Sequence, residues 1–564
     1  MTDRASGVSF AVKEEASLLD AIQSAGLKIS YGCRLSICGA DPVVICDGAE
    51  NLSEAGDDER ATLQRLGLEG RARLACVCKV SGPVTIDRDP HSAGAAATKR
   101  PEAPAIDRAE AAGVAHVVIA GNDVAGMGVA EGLRRESPSV AITIVTNEPA
   151  HFYNRMAIGR VVYDGTGMDG LQLTPDSWYG ANDVTVLRNT VAAAIDREGR
   201  SLRLATGAPL PYDRLVLATG ARATTPTPDF LAYHNAFVLR SADDARALRA
   251  HVQMTGARRA VVIGGGVLGV EAADALRRLG LQVAILQRAS RLMNAQLDEA
   301  GAAKLQAYLD SVGVQSVCNA SIASFGGADT ISAARLAHGP RVRADIFVAC
   351  LGIQSNAYLA EWAGLTVARG VKVDAAMRTS DPNILAVGDV AEAPGGPGGL
   401  WSIAAAQATA AVDGIFEGER AAKGAEPPRV VMHLKCDGID LYSCGPVQAR
   451  EGDEAFTASA PSEAWWWIVA RGPAIVGGLF VGPPGSGRRF HEMLRKPEDG
   501  AAATLADLRG GKGRILIVFN RGHYQTINLS QWIAGNSPDV LATNFGRPAS
   551  LFETFPRRDV FLTK

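Results

Sequence analysis

Three cysteines and one aspartate near the amino terminus have the spacing of ligands to a two-iron two-sulfur cluster. They are Cys33, Cys38, Asp41 and Cys76. In such clusters a tight loop supplies three ligands, with four residues between the first two and two before the third, and a returning strand supplies the fourth. The pattern therefore predicts a metal centre that carries single electrons.

Asp41 occupies the position where a third thiolate is usual. Its carboxylate is a hard oxygen donor, so either it coordinates iron itself or Cys46 or Cys78 takes its place. Five of the nine cysteines lie between positions 33 and 78, and this crowding suits metal ligation in a reducing compartment better than a disulfide framework. The identity of the fourth ligand stays open at this point.

A complete glycine motif in the middle of the chain indicates a second kind of chemistry. Gly264, Gly266 and Gly269 directly follow a run of Ala, Val and Ile. In a strand-turn-helix unit such glycines form the turn, let the backbone approach a pyrophosphate and let the helix pack on the strand. Gln287 and Arg288 stand where an acidic residue would bind the ribose of NAD. The motif predicts a bound dinucleotide, and no acid there repels the 2′-phosphate of NADPH.

An earlier glycine motif is incomplete. It consists of Gly121, Asp123 and Gly126, with the aspartate in the second glycine position. A carboxylate there would crowd the pyrophosphate and add negative charge unless it turns away. The next predicted strand ends near Asn147, where the ribose-binding acid is expected, and Glu148 is the substitute candidate.

Two later segments suggest what the incomplete motif binds. Thr219-Gly220 ends one apolar stretch, and Gly388-Asp389 ends another. A glycine that permits close approach, followed by an aspartate that can hydrogen-bond a ribityl hydroxyl, is what a bound flavin requires. The helical stretch after Ser402 could direct its positive end at a reduced flavin ring. Together these residues predict FAD at the first motif and NAD(P) at the second.

Residues 113–495 resemble FAD-dependent pyridine nucleotide reductases. The resemblance is greatest to the flavin half of NAD(P)H nitrite reductases and to rubredoxin and oxygenase-ferredoxin reductases. Beyond the glycines, it rests on three segments: Glu148–Arg155, Arg291–Asp298 and Gly438–Ser443. The first of these segments resembles the one beside the flavin, so the resemblance implies that Arg155 contributes to cofactor binding.

The resemblance also implies a pair of catalytic residues. In that family a lysine near the flavin often pairs with a glutamate on the helix of the nucleotide domain. The corresponding positions here are Arg160 and Glu271, so an Arg-Glu ion pair is implied. Residues 113–317 contain no cysteine, which argues against disulfide reductase chemistry and for conversion of hydride to single electrons.

Two further resemblances lie at the ends of the chain. Residues 1–87 are similar to adrenodoxin and plant-type ferredoxins, with Asp41 as the departure. Residues 514–532 resemble the final strand and helix of cupins of the oxalate decarboxylase type. His523 alone makes no metal site, because a cupin needs several histidines and a glutamate from other strands. We expect this tail to serve in packing or partner docking.

The combined features predict an α/β protein with two Rossmann-like nucleotide-binding domains, an N-terminal β-grasp ferredoxin-like domain and a small α+β C-terminal domain. The predicted ranges are 1–87 for the iron-sulfur domain, 88–112 for a linker, 113–240 and 355–424 for the FAD-binding domain, 241–354 for the NAD(P)-binding domain, 425–499 for the C-terminal reductase interface domain and 500–564 for the cupin-like tail.

The bulk composition excludes several classes of partner. The 564 residues carry 57 basic and 60 acidic side chains, a formal charge of −3, which gives no broad electrostatic basis for binding nucleic acid or an anionic membrane. Neither a signal peptide nor a run of about 18 apolar residues is found, so we expect a cytoplasmic chain without membrane partners. A homo-oligomer is compatible with the sequence.

The expected activity is electron transfer from NAD(P)H through FAD to the cluster and then to a protein redox partner. Two alternatives stay open. Electrons could flow in reverse, from an external donor to NAD(P)+, or the chain could be a redox-sensing interaction protein in which turnover is incidental.

Overall fold

The structure is a computed structural model. It describes residues 1–12, 17–32, 34, 36, 38–90, 107–394, 398–417, 430–436, 438–459, 464–484, 487–495, 514–519, 523–528 and 562–563. Helices and strands alternate along most of this length, so the predicted α/β class is confirmed. Among the helices described, none is both long and apolar enough to cross a membrane.

The amino-terminal unit is a small mixed sheet with two helices. Its elements are β1 (Thr2–Asp3), α1 (Leu18–Ser24), β2 (Pro42–Asp47), α2 (Asp57–Arg65), β3 (Ala72–Leu74) and β4 (Thr85–Asp87). The strand order is β1-β4-β2-β3, with β1 parallel to β4 and the other pairs antiparallel. Ser17 caps α1 by accepting a hydrogen bond from the Asp20 amide, as expected for a helix start. The candidate cluster ligands lie before β2 and after β3.

The next segment begins the larger part of the chain. Its elements are α3 (Arg108–Ala112), β5 (His116–Ala120), α4 (Val124–Glu136), β6 (Ala141–Val145), α5 (Ile158–Tyr163), α6 (Asp176–Ala181), β7 (Val184–Leu187), β8 (Ala192–Asp196), β9 (Ser201–Leu204), β10 (Pro209–Pro211), β11 (Arg214–Leu217), β12 (Ala221–Ala223) and β13 (Ala236–Val238). Strands β8, β9 and β10 form an antiparallel sheet of their own. The turn between β5 and α4 carries the first glycine motif.

A second strand-helix unit follows. Its elements are α7 (Ala242–Thr255), β14 (Arg259–Ile263), α8 (Val267–Arg278), β15 (Gln282–Leu286), α9 (Glu299–Ser311), β16 (Val314–Val317), β17 (Ile322–Gly326), β18 (Ala333–Leu336), β19 (Arg341–Val342), β20 (Ile346–Ala349) and β21 (Ile353–Ser355). A parallel sheet has the order β13-β20-β14-β15-β16. Strand β13 lies inside the range 113–240 predicted for the FAD-binding domain but pairs in this second sheet, which corrects the assignment of that strand.

The chain then returns to the first sheet. The elements are α10 (Tyr358–Trp362), β22 (Val371–Lys372), β23 (Ile384–Ala386), β24 (Ala391–Glu392) and α11 (Trp401–Glu417). Strand β23 completes a parallel sheet of order β23-β11-β5-β6-β7. Helices α4 and α11 pack so closely that a Cβ added to Gly132 would lie 2.8 Å from a methyl carbon of Val412. One nucleotide-type sheet is thus interrupted by another, as the sequence predicted.

The carboxyl-terminal unit is an antiparallel sheet with one helix. Its elements are β25 (Met432–His433), β26 (Asp440–Cys444), β27 (Glu454–Ser459), β28 (Trp465–Arg471), β29 (Ala474–Gly482) and α12 (Arg488–Arg495). The strand order is β25-β26-β29-β28-β27. Trp466 and Trp467 point to opposite faces of β28, and both are buried. Both faces of the sheet are therefore covered by other parts of the chain.

Only short pieces of the predicted cupin-like tail are described. Strands β30 (Arg514–Phe519) and β31 (His523–Asn528) form an antiparallel hairpin. Strand β32 (Leu562–Thr563) pairs antiparallel with β19. The rest of residues 500–564 lies outside the described residues, so the cupin resemblance stays a prediction.

Candidate functional site

The complete glycine motif forms a tight turn between β14 and α8. Gly264 has a φ of +107°, a conformation that side chains rarely adopt. A Cβ there would clash with the carbonyl oxygen of Cys350, and one on Gly269 would clash with the carbonyl oxygen of Gly264. A Cβ on Gly266, the residue before α8, would meet nothing within 4 Å. The backbone is therefore open at the helix N-terminus, which fits a dinucleotide pyrophosphate.

Gln287 is buried and supports this turn. Its Oε1 accepts a hydrogen bond from the Gly265 amide at 3.1 Å. Its Nε2 donates to the carbonyl oxygen of Arg291 and to Asn294 Oδ1, both at 3.2 Å. The neighbouring Arg288 is exposed. Of the two residues predicted at the ribose position, Arg288 is the one whose side chain is accessible to a ligand.

The incomplete motif forms the corresponding turn between β5 and α4. Gly121 has a φ of +129°, and a Cβ there would clash with the carbonyl oxygen of Ala218. Asp123 caps α4, because its Oδ1 accepts from the Val124 amide at 3.0 Å. Its Oδ2 lies 2.5 Å from Arg155 Nε. The aspartate that the sequence analysis marked as an unfavourable charge is thus paired, which removes the objection to an anionic ligand here.

Arg155 links the first motif to the end of β6. Besides Asp123, its guanidinium contacts the carboxylate of Glu148, which also accepts a hydrogen bond from Tyr153 Oη at 2.9 Å. Burial acts against the charge, but the neighbouring carboxylates outweigh it and raise the pKa of Arg155. Asn147 is exposed. The structure therefore brings together Asp123, Glu148 and Arg155 and leaves Asn147 accessible to a ribose.

The segment at Thr219 and Gly220 joins the two nucleotide-binding parts. Thr219 Oγ1 donates to the carbonyl oxygen of Asn356 at 3.0 Å, and Asn356 Nδ2 returns a bond to the Thr219 carbonyl oxygen at 2.9 Å. The Asn356 amide donates to the Gly220 carbonyl oxygen. These reciprocal bonds fix the crossing where β12 pairs with β21. Thr219 and Gly220 therefore shape the backbone of the site, and the Thr219 hydroxyl is already hydrogen-bonded within the protein.

Asp389 has protein partners where the sequence predicted a flavin contact. One carboxylate oxygen contacts the guanidinium of Arg240, and the other accepts from the Gly399 amide at 2.9 Å. The preceding Gly388 donates its amide to Gln407 Oε1 at 2.7 Å. Arg240 has no recognisable motif around it, so sequence reasoning missed this partner. Asp389 keeps a side-chain exposure of 15%, which leaves part of its surface open to a ligand.

The expected Arg160–Glu271 ion pair is wrong. Arg160 lies 3.8 Å from Asp164 on its own helix, and Glu271 lies 3.7 Å from Lys435 Nζ in the C-terminal unit. The Lys435 amide also donates to Glu271 Oε1 at 3.0 Å. The physical reason is that a distant segment supplies a lysine nearer to Glu271 than Arg160 is. Sequence spacing gave no signal for that lysine.

Three of the four cluster ligands predicted from the sequence lie within the described residues, and all three are buried. Cys38 is 0% exposed, Asp41 2% and Cys76 4%. Asp41 Oδ2 accepts a hydrogen bond from the Cys76 amide at 2.5 Å. Burial raises the pKa of Asp41 to about 6. Cys33 lies outside the described residues. Asp41 and Cys76, the third and fourth predicted ligands, are therefore direct neighbours.

The two alternative ligands are less well placed. Cys46 is exposed near the far end of β2, with Arg4 NH1 at 4.0 Å from its Sγ. Cys78 is fully buried in the apolar core of the unit, and burial raises the pKa of its thiol to about 11. Cys38, Asp41 and Cys76 are all described, but among the described residues no three His, Cys, Asp or Glu side chains form a group that could hold a metal ion. Of these three residues, Asp41 is the one with a hydrogen bond to another predicted ligand, Cys76.

The candidate cluster site faces the candidate flavin site. We call the described residues of 1–90 the ferredoxin-like module, those of 107–495 the reductase body and those of 30–41 the cluster loop. Cys38 packs in one apolar group with side chains of the body. That group includes Ala40, Met156, Leu173, Trp401, Tyr442, Trp466 and Phe490. Since Trp401 begins α11, the cluster loop meets the body beside the helix end that the sequence assigned to the flavin.

Comparison with known proteins agrees with this architecture. Residues 115–410 match the family "Pyridine nucleotide-disulphide oxidoreductase", and residues 1–81 match "2Fe-2S iron-sulfur cluster binding domain". These matches, together with the relatives below, confirm the expected cofactors: FAD, NAD(P)H and a two-iron two-sulfur cluster.

Three similar proteins have names that describe electron transfer. The chain is 30% identical to "Nitrite reductase [NAD(P)H]" of Bacillus subtilis, over 69% of this chain and 48% of the relative. It is 34% identical to "Biphenyl dioxygenase system ferredoxin--NAD(+) reductase component" of Paraburkholderia xenovorans, over 51% of this chain and 70% of the relative. The crystal structure of the covalent putidaredoxin reductase–putidaredoxin complex is similar with a TM-score of 0.60 and 25% identity, over 68% of this chain and 93% of that one.

The lengths of these matches differ. The chain spans about half the length of the nitrite reductase, whereas it covers more than two thirds of the dioxygenase reductase component. The strand-turn-helix sites and the family match lead to the same assignment. The chain belongs to the pyridine nucleotide-disulphide oxidoreductase family and carries an amino-terminal 2Fe-2S domain.

Proposed function

We propose that this chain takes electrons from NAD(P)H, passes them through FAD to a two-iron two-sulfur cluster in its own ferredoxin-like module and delivers them to a protein redox partner. The proposed cluster ligands are Cys33, Cys38, Asp41 and Cys76. The single observation that supports the proposal is that Cys38 is buried in an apolar group against which Met156 and Trp401 of the reductase body pack, so a cluster at Cys38 would lie beside the candidate flavin site of the same chain. When bound, FAD supplies the conversion of a hydride into single electrons.

The residues of the body have distinct roles in this proposal. The open backbone at Gly266 and the helix end of α8 bind the pyrophosphate of the pyridine nucleotide. Asp123 is neutralised by Arg155, so the phosphates of the flavin nucleotide meet the N-terminus of α4 without a free carboxylate beside it. Glu271 anchors α8 to the C-terminal unit through Lys435. This contact positions the nucleotide-binding helix.

Similar proteins support a proposal for the acceptor. One relative is a ferredoxin reductase component of a dioxygenase system, and another is a reductase in complex with putidaredoxin. We propose that the partner of this chain is likewise a redox protein, and that it takes single electrons from the cluster. The absence of cysteine from residues 113–317 supports transfer without a dithiol intermediate.

An anaerobic reductive titration tests the proposal. The purified full chain, with iron and flavin contents determined, is titrated with NADH and separately with NADPH. We expect bleaching of the flavin absorbance together with the electron paramagnetic resonance signal of a reduced two-iron two-sulfur cluster. A cluster that dithionite reduces, but that stays oxidised while either nucleotide reduces the flavin fully, would contradict the proposal.

The same preparation tests the direction of flow. Rapid reduction of cytochrome c by NADH or NADPH supports the forward direction. If the chain reduces NAD(P)+ from a low-potential donor much faster than it reduces any acceptor, the reverse direction is the physiological one and the proposal is wrong in that respect.

A further inference from the structure

The cluster loop is fitted closely to the reductase body. Ser30 Oγ donates to the carbonyl oxygen of Gly170 at 2.6 Å, and Asn154 Nδ2 donates to the carbonyl oxygen of Tyr31 at 3.3 Å. A Cβ added to Gly32 would lie 2.7 Å from Asn154 Nδ2. The loop thus approaches the body as closely as a glycine permits, and specific polar contacts accompany the apolar group around Cys38.

Arg65, the last residue of α2, connects the cluster loop with the flavin-side helix. Its NH2 donates to the carbonyl oxygen of Cys38 at 3.2 Å, and its NH1 lies 3.9 Å from Glu131 Oε2 on α4. The side chains of Arg65 and Glu131 are 22% and 9% exposed. A charged contact with so little access to water is stronger and more directional than a pair on the open surface. One side chain therefore bridges the cluster loop and the helix that begins at the first glycine motif.

We propose that Arg65 and Glu131 are positioning residues that hold the ferredoxin-like module where its cluster receives electrons. The inference rests on the proposed function and assigns a role to two residues outside its nucleotide motifs and cluster ligands. In this position Cys38 has no exposed surface. An external acceptor therefore cannot contact Cys38 until the contact between module and body opens. The module then receives electrons in one position and delivers them in another, and the Arg65–Glu131 contact favours the receiving position.

The test is a charge reversal in the full chain with both cofactors bound, at pH 8, where the Glu131 carboxyl is ionised although burial raises its pKa to about 7. Arg65→Glu places two carboxyl groups opposite each other. Stopped-flow measurements should show an unchanged rate of flavin reduction by NADH. The flavin-to-cluster rate should fall by about tenfold or more, because like charges at an interface oppose docking. Oxidation of the dithionite-reduced cluster by cytochrome c should be as fast as in the parent chain, or faster.

A matched control lies on the same helix. Arg60 is more than half exposed and pairs with Asp57 of its own module at 2.7 Å. Arg60→Glu changes the net charge as much as Arg65→Glu does, but it should leave all three rates unchanged. The double variant Arg65→Glu/Glu131→Arg should recover part of the transfer rate. Recovery is partial because the introduced carboxyl cannot donate to the Cys38 carbonyl.

Two further measurements guard against misfolding. Ser30→Ala removes an independent contact and should slow flavin-to-cluster transfer by roughly threefold, the effect of one interfacial hydrogen bond. Hydrogen exchange followed by mass spectrometry should show faster exchange of residues 30–41 and 168–172 in Arg65→Glu, but not in Arg60→Glu. This readout reports the contact without requiring turnover.

The outcomes separate this inference from the proposed function. If the unaltered chain never reduces its cluster with NAD(P)H, the proposed function fails. If the unaltered chain transfers electrons and Arg65→Glu and Ser30→Ala transfer them equally well, the inference fails and the function stands. Equal slowing by Arg60→Glu and Arg65→Glu would also overturn the inference, since a general charge effect would then explain the result.

Discussion

Asp41 is the proposed cluster ligand that departs from the usual thiolate. Its carboxylate is buried and accepts a hydrogen bond from the Cys76 amide, which places an oxygen donor where a thiolate is usual. We predict that Asp41→Cys retains the cluster with the iron content of the parent chain and shifts its visible spectrum and reduction potential, because a soft thiolate replaces a hard oxygen ligand. Iron analysis, absorbance and a redox titration measure this. Spectra and potential identical to those of the parent would place residue 41 outside the coordination sphere.

Cys46 provides the matched control for that experiment. It is exposed near the opposite end of β2 from Asp41. Cys46→Ser should therefore leave iron content, spectrum and potential unchanged. Loss of the cluster in this variant would show that Cys46, and not Asp41, completes the ligand set.

Arg288 is the residue that should discriminate between the two pyridine nucleotides. It is exposed at the end of β15, whereas its neighbour Gln287 is buried and holds the glycine turn. Arg288→Ala should raise the KM for NADPH about tenfold, the effect of losing one charge-assisted contact with the 2′-phosphate, and leave that for NADH nearly unchanged. Steady-state kinetics with each nucleotide measure the effect. Equal changes for both nucleotides would remove Arg288 from the ribose site.

The residue scale also shows where sequence reasoning succeeds. The motifs of Gly264 and Gly121 were identified from the sequence because a turn without room for a side chain requires glycines at a fixed local spacing. The partner of Glu271 was not identified from the sequence. Lys435 lies far away in the chain, and only the packing of the C-terminal unit brings it near Glu271. The pairing of Arg240 with Asp389 likewise joins residues from two distant segments.

At the scale of elements, the turn from β5 to α4 depends on Arg155. This side chain is paired with both Asp123 and Glu148, and all three are largely shielded from water. Arg155→Ala leaves two carboxylates without their partner, which should cost about 3 to 5 kcal/mol of stability and reduce the bound FAD. Thermal unfolding and the ratio of flavin to protein check this. Arg203→Ala, at a mostly exposed pair with Asp196, should change neither quantity.

Helix α4 should also give the chain a pH dependence. Burial raises the pKa of Glu131 from 4.5 to about 7, while Arg65 and Arg135 oppose that rise and Tyr179 also faces the carboxyl. Because the folded pKa is raised, the contribution of Glu131 to stability is fully present below about pH 4.5 and is lost as the pH rises through about 7, by at most about 3 kcal/mol.

Glu131→Gln should remove that part of the pH dependence. Chemical unfolding at pH 5 and pH 8 should show a smaller loss of stability for the variant than for the parent chain, because the amide does not ionise. An equal loss of stability between pH 5 and pH 8 in both proteins would show that Glu131 does not ionise in this range.

The elements themselves were largely predictable. Each nucleotide-binding unit combines a buried apolar strand, a glycine turn and a helix within a short stretch, so local sequence indicates its structure. The small strand β13 was assigned to the wrong sheet, because its pairing with β20 depends on a connection of more than a hundred residues. Strand β28 shows a further limit of local patterns: Trp466 and Trp467 lie on opposite faces and are both buried, although simple alternation predicts one exposed face. Burial on both faces is set by neighbouring units rather than by the strand.

At the scale of the whole molecule, the arrangement of the module on the body is the central feature. The sequence indicated a cluster module and a tether but not where the module lies. Contacts such as Ser30 with Gly170 and Arg65 with Glu131 join residue types that occur on any surface, so no motif reveals them. The structure adds that Cys38 shares an apolar group with Trp401 of α11 and that Arg65 of the module contacts Glu131 of α4.

One kinetic experiment tests whether electrons pass from the flavin to the cluster within a single chain. The full chain is mixed anaerobically with NADH or NADPH in a stopped-flow instrument, and flavin and cluster absorbance are followed at separate wavelengths. We expect flavin reduction to come first and cluster reduction to follow in the same molecule, at a rate independent of protein concentration and faster than steady-state turnover. Cluster reduction that is slower than turnover, or whose rate rises in proportion to protein concentration, would contradict electron transfer within one chain.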